Sequence, residues 1–172
     1  MVIYHHKKHA TLQRILEIKC HMPITHLFGD LKKAAIATFL TELLHKVLYE
    51  EEQNVRLFDF VLQSISRLDQ LTEGHELFYL DFMLQLCTYL GFGCTQATEI
   101  NTQLIRSGFT SLLNTQEINI LDSLLNHAAP PVAKPSKQSM RNMLANIVRY
   151  FQLHVDTLDT LKSLPVLQEI SG

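Results

Sequence analysis

Between Arg141 and Val155 the apolar residues Met143, Leu144, Ile147, Val148, Phe151 and Val155 recur at intervals of three, four and seven. That spacing is one face of an amphipathic α-helix. Such a stripe has to be covered, so the rest of the chain must supply other elements that pack on it. Beyond Asp156 the run Leu158, Leu161-Lys162-Ser163-Leu164 follows, in which Ser163 is placed to cap a last helix with Pro165 in its first turn.

Further stripes lie upstream. Asp30 is a suitable cap for LKKAAIATFLTELLHKVL, where Leu31, Ala35, Thr38, Phe39, Glu42, Leu43 and Lys46 fall on helical spacing. Asn54 opens a second helix carrying Leu57, Phe58, Val61, Leu62, Ile65 and Leu68, with Glu50, Glu51 and Glu52 in the turn between the two. Gly74 precedes a third, His75 to Leu90, which is apolar on more than one side and therefore expected at the centre. Its end is marked by Leu90-Gly91-Phe92-Gly93, where glycine closes a helix without the steric penalty of a Cβ.

Residues 94–115 sustain neither a helical nor a strand period and are rich in Thr, Asn and Gln. An irregular excursion is expected there, with room for a short hairpin around Gly108. Thr115 can cap a short helix from Glu117 to His127, and AAPPVAKPSK is a proline-stiffened linker. Residues 1–28 differ from the rest: a polar, cationic opening is followed by Leu12, Ile15, Leu16 and Ile18, read as a strand, before Pro23 interrupts the pattern. The expected fold is all-α, a bundle of five or six helices with a short strand-like appendage at the N-terminus.

A length of 172 residues with 47% apolar side chains suits one core. The formal charge of -2 excludes a surface that is basic throughout, so any phosphate contact must be regional. Cys20, Cys87 and Cys94 form no CxxC pair, which argues for neither a disulfide framework nor a zinc ribbon. With no secretory signal and no apolar run long enough for a bilayer, a soluble cytoplasmic protein that makes no membrane contact is expected.

Nine histidines raise the question of a metal, and His5, His6 and His9 are the cluster closest in sequence. A cationic terminus of this kind is more often solvated or set against phosphate. His45, His75, His127 and His154 read as surface or satisfied core groups, and Cys87, among leucines, as a small buried hydrophobe. No nucleophile, base and orienting acid can be assembled, and GxxxxGK, GxGxxG and HExxH are absent, which favours a protein that is not an enzyme. Basic residues from Lys134 to Arg149 surround the start of the organising helix. They are either a solvated face or a phosphate-binding strip. Tyr150 and Phe151 point in different directions, Phe151 inward and Tyr150 either to a partner or to the core.

Four stretches in order resemble the helical C-terminal domain of the bacterial RecO recombination mediators. Phe39-Leu40-Thr41-Glu42-Leu43-Leu44 resembles the first long helix of that family, Leu57-Phe58-Asp59-Phe60 the second, Leu90-Gly91-Phe92-Gly93 the glycine-marked end of the third, and Leu161-Lys162-Ser163 the hallmark near the C-terminus. Residues 29–172 would be this domain. Residues 1–28, with Leu12-Gln13-Arg14-Ile15, look like the last strand of the family's OB-fold barrel and its linker. The remainder of that barrel has no counterpart in this chain, so the strand is expected to fray, pair with another copy or rearrange.

The resemblance implies a non-catalytic, nucleoid-associated role in DNA repair and recombination. Its partners would be single-stranded DNA, bound weakly without the barrel, RecR, and the acidic C-terminal tail of single-stranded DNA-binding protein. The DNA-facing candidates are Lys7, Lys8, Arg14, Arg141, Arg149 and Lys162. Many members follow the glycine turn with a four-cysteine zinc site. Here Cys94 comes too early and no CxxC follows, so neither metal nor other cofactor is expected. Tyr79-Leu80-Asp81-Phe82 stands where many members have Arg-Phe-Glu, which would alter the contacts to the acidic tail. A helical interaction module without DNA binding and a metal-dependent enzyme using the histidines are the competing readings.

Overall fold

A computed structural model of the chain describes residues 2–5, 12, 14–20, 22–48, 54–128 and 134–170. Among them are two strands, β1 (Val2–His5) and β2 (Arg14–Ile18), a 3₁₀ turn at Leu27–Gly29, and seven α-helices. The helices are α1 (Leu31–Val47), α2 (Val55–Gln70), α3 (His75–Tyr89), α4 (Ala97–Arg106), α5 (Thr115–Leu125), α6 (Lys137–His154) and α7 (Leu164–Ile170). The architecture is all-α, as expected, with two departures in detail.

The first departure is α4, which replaces the irregular excursion expected over residues 94–115 and brings the count to seven among the described residues. Glu99 Oε1 accepts the backbone N–H groups of Thr95 and Gln96, and Asp122 Oδ1 on α5 accepts that of Ala97 at 2.6 Å. These bonds satisfy donors that a helix start leaves unpaired. Ala97, Ile100 and Leu104 then face the core. The turn at Gly108, where there was room for a short hairpin, is instead the closure of this helix, with Phe109 N–H donating to Leu104 O at 2.9 Å.

The second departure is at the N-terminus. The strand expected to stand alone is β2, and it pairs antiparallel with β1, Val2 opposite Ile18 and His5 opposite Arg14. Every residue of β2 is exposed, Ile15, Leu16 and Ile18 included.

Asp30 caps α1 by accepting the amides of Lys32 and Lys33, and Asn54 caps α2 through Leu57. For α5 the cap is Asn114, one residue before the expected Thr115. Its side chain accepts from Glu117 N while Glu117 Oε2 accepts from Asn114 N, both at 3.0 Å. α6 starts at Lys137, capped by Ser136.

The hub is α3, which packs against α1, α2, α5 and α6. Phe78, Tyr79, Leu80, Phe82, Met83, Leu84, Leu86 and Cys87 are all buried, which accounts for its lack of a polar side. Burying each large apolar side chain contributes roughly 1.5–3 kcal/mol. α6 lies across α3 and α4 with Met143, Leu144, Ile147, Val148 and Phe151 inside, and α7 packs on α1. The core claims Tyr150 as well as Phe151: its hydroxyl donates to Phe92 O at 2.7 Å, satisfying the one polar atom that ring carries inside.

Candidate partner groove and basic surface

The apolar faces of α1 and α2 are not spent entirely on each other. Between them opens a groove of about 860 Å³, floored by Phe78 and Phe82 of α3 and walled by Leu40 and Leu44 of α1 and by Val61, Ile65 and Leu68 of α2. A third wall comes from outside the helices: Ile24, Leu27 and Phe28 in the segment that joins the hairpin to α1. Leu27 is buried, whereas Phe28 is 81% exposed at the mouth.

That segment is held by Asp69, near the end of α2. Oδ1 accepts the backbone N–H groups of His26 at 2.8 Å and Leu27 at 2.7 Å, and Oδ2 accepts Thr25 N–H at 3.2 Å. The Asp69 carbonyl takes the buried Nζ of Lys33 from α1 at 2.6 Å. Burial opposes the charge on Asp69, but the amides of His26, Thr25 and Leu27 outweigh it and hold the carboxyl at about 2.

The other end of the groove is closed by Glu42, Lys162 and Ser163. Glu42 accepts Lys162 N–H on Oε1 and Ser163 N–H on Oε2, both at 2.8 Å, and the Ser163 hydroxyl also donates to Oε2. Burial works against the charge here too, yet the Ser163 and Lys162 bonds keep the Glu42 carboxyl below its ordinary value. Ser163 thus directly precedes α7, as expected, but its hydroxyl serves Glu42. The Lys162 side chain is exposed and has no carboxylate partner among the described residues.

The four cationic candidates among the described residues are spread over three parts of the fold. Lys7 and Lys8 lie outside the described residues, as does much of the proline-rich linker and of the acidic turn before α2. Arg14 is on the hairpin and Lys162 at the groove. Arg141 and Arg149 share α6, about 12 Å apart along its axis. Arg141 is exposed. The Arg149 guanidinium lies over the Phe109 ring, 5.4 Å from its centroid, and donates to Ser111 O at 3.2 Å. Neither arginine has a carboxylate partner among the described residues, in contrast to Lys134 with Glu76, Lys46 with Asp159 and Arg67 with Asp81.

Of the histidines, His6 and His9 are outside the described residues. His45 lines the groove, His75 Nε2 sits 4.0 Å from Asp30 Oδ2, and His154 stacks on Phe92 at 4.6 Å while bonding Gln103. No three His, Cys, Asp or Glu side chains among the described residues gather as a metal set. Cys87 and Cys94 are both buried. Burial, with the neighbouring Cys94, pushes the Cys87 thiol up, and burial, with Glu99, pushes Cys94 up to about 11.

Glu42 and Asp69 were not singled out from the sequence as site residues. The available signal was an acid within or beside an otherwise apolar helical stripe: Glu42 next to Leu43, and Asp69 next to Leu68.

These features define an all-helical domain with an apolar groove framed by three walls, and no described helix is long and apolar enough to cross a membrane. The family described as "Recombination protein O C terminal" matches residues 29–166. "DNA repair protein RecO" of Flavobacterium johnsoniae is 30% identical over 96% of this chain and 73% of its own length. The proteins of the same name in Phocaeicola vulgatus, 29% identical over 94% of this chain and 72% of that protein, and Bacteroides fragilis, 30% over 96% and 74%, are similar to the same degree. No solved structure matches. The chain belongs to the RecO family of DNA repair proteins.

Proposed function

We propose that the chain acts without catalysis as a recombination mediator. It binds single-stranded DNA, cooperates with RecR to let a RecA-type protein replace single-stranded DNA-binding protein, and assists strand annealing. In this reading residues 1–28, which hold the β1–β2 hairpin with β2 as the last strand, are the end of a barrel and its linker, and residues 29–172 are the helical domain that receives partners. The observation that carries it is the apolar groove with Lys162 at one end, its side chain exposed and without an ion-pair partner among the described residues. That pairing suits an acidic peptide with apolar side chains, such as the tail of single-stranded DNA-binding protein. Lys7, Lys8, Arg14, Arg141, Arg149 and Lys162 are the proposed phosphate contacts.

The test is titration of a fluorescent single-stranded oligonucleotide at several salt concentrations. Binding should weaken steeply with salt, and removing one phosphate-contacting arginine should reduce the logarithmic slope by about 0.7. A second reading, a protein-docking module without DNA affinity, is favoured by the engagement of Arg149 with Phe109 and Ser111. Absence of binding at low salt, with retained binding of an acidic apolar peptide, selects it.

A further inference from the structure

The groove has two walls that belong to long helices and one that does not. Ile24, Leu27 and Phe28 sit in a segment with only a single 3₁₀ turn of its own, stabilised internally by Gly29 N–H on His26 O at 3.2 Å. Ile24 and Phe28 are exposed, so the wall gains little from burial except at Leu27. Its attachment to the helices falls largely on one carboxylate. Three consecutive amides, those of Thr25, His26 and Leu27, converge on Asp69, joined by the Thr25 hydroxyl at 3.3 Å. The same residue ties α2 to α1 through Lys33 Nζ on its carbonyl.

We propose that Asp69 is a positioning residue for the groove: it latches residues 24–28 in place as the third wall, and the affinity of the groove for its occupant depends on that latch although Asp69 itself lies behind the wall. This rests on the reading of the groove as a docking site for an acidic, apolar peptide. Without the carboxylate, three neighbouring amides lose their acceptor together, and Leu27 alone retains the segment. The wall then opens while α3, packed against four other helices, keeps its structure.

The experiment uses the full chain and its Asp69→Ala, Asp69→Asn and Phe28→Ala variants. Amide hydrogen exchange is followed at Thr25, His26 and Leu27 and across α3. The probe for the groove is a fluorescent peptide of alternating aspartate and leucine. In Asp69→Ala the three amides should exchange roughly tenfold faster with α3 unchanged, and peptide affinity should fall by about fivefold or more. Asp69→Asn, which keeps one acceptor oxygen, should fall between. Phe28→Ala changes an exposed wall residue and should weaken the peptide without altering exchange at residues 25–27.

Unchanged exchange in Asp69→Ala overturns the latch, and so does faster exchange with undiminished peptide affinity. Should Asp69→Ala fail to fold, unaltered peptide affinity in both other variants overturns it equally. If the unaltered chain does not bind the peptide at all, the docking reading fails, while faster exchange confined to residues 25–27 still supports the latch itself.

Discussion

Glu42 and Ser163, 121 residues apart in sequence, share one carboxylate oxygen: Glu42 Oε2 accepts both the backbone N–H and the hydroxyl of Ser163. Through this contact the C-terminal helix, the first long helix and one end of the groove become a single joint. It also gives a physical reason for Leu161-Lys162-Ser163. Leu161 is buried, Lys162 lends its amide to Glu42 while its side chain stays outside, and Ser163 has the small hydroxyl the carboxylate needs.

Replacing Glu42 by Gln should therefore loosen the C-terminal segment without unfolding the bundle. Hydrogen bonds to an ionised carboxylate are stronger than neutral ones, so the expected loss is about 1–2 kcal/mol. Urea denaturation measures it, and Glu42→Ala should cost at least as much.

Asp69 makes a prediction in pH. Its folded pKa of about 2 lies below the ordinary 3.8, so its contribution is complete above about pH 4 and disappears as the pH falls through about 2. The cationic groups facing it are His26, with Nδ1 3.6 Å from Oδ2, and Lys33, bound to its carbonyl. Acid titration of stability should fall more steeply between about pH 4 and 2 in the native chain than in Asp69→Asn.

The two glycines that end α3 should respond differently to alanine. Gly91 has φ +87 with open space around it, so Gly91→Ala carries mainly backbone strain, about 1 kcal/mol. At Gly93 a Cβ would stand 2.8 Å from Thr88 Cα and 2.5 Å from Thr88 Oγ1. Backbone has to shift to relieve that approach, and Gly93→Ala should cost about 1–3 kcal/mol. A lower melting temperature for Gly91→Ala than for Gly93→Ala would contradict this ordering.

The three thiols should separate by reactivity. Cys20 is exposed, whereas Cys87 and Cys94 are buried with their thiols pushed up. A disulfide reagent near neutral pH should label Cys20 rapidly and the other two only after denaturation. Fast labelling of Cys94 in the folded chain would contradict its placement.

Much of this architecture is legible in the residues. The caps at Asp30 and Asn54 and the all-round apolar character of α3 follow from short-range chemistry. The helix α4 carries Ala97, Ile100 and Leu104 at helical intervals of three and four, but it is only ten residues long and its Thr, Asn and Gln content reads as irregular. Its readable sign was Glu99, three residues after the helix cap. β1 has four residues, too short for an alternation to register. The groove is hidden for a different reason. Leu40, Val61 and Phe82 carry the same stripe whether a partner helix covers them or not, and only tertiary spacing decides which faces remain open.

One further property of the groove concerns how its occupancy can be seen. Phe82 on its floor stacks on Phe60 at 5.0 Å, and Phe60 stacks on Tyr89 at 4.6 Å, whose ring reaches solvent. The chain contains no tryptophan to mask tyrosine emission. A guest that pressed on Phe82 would therefore be coupled by ring-on-ring contact to a native chromophore at the surface, and near-ultraviolet dichroism of the unlabelled protein would serve as an optical gauge of the proposed docking.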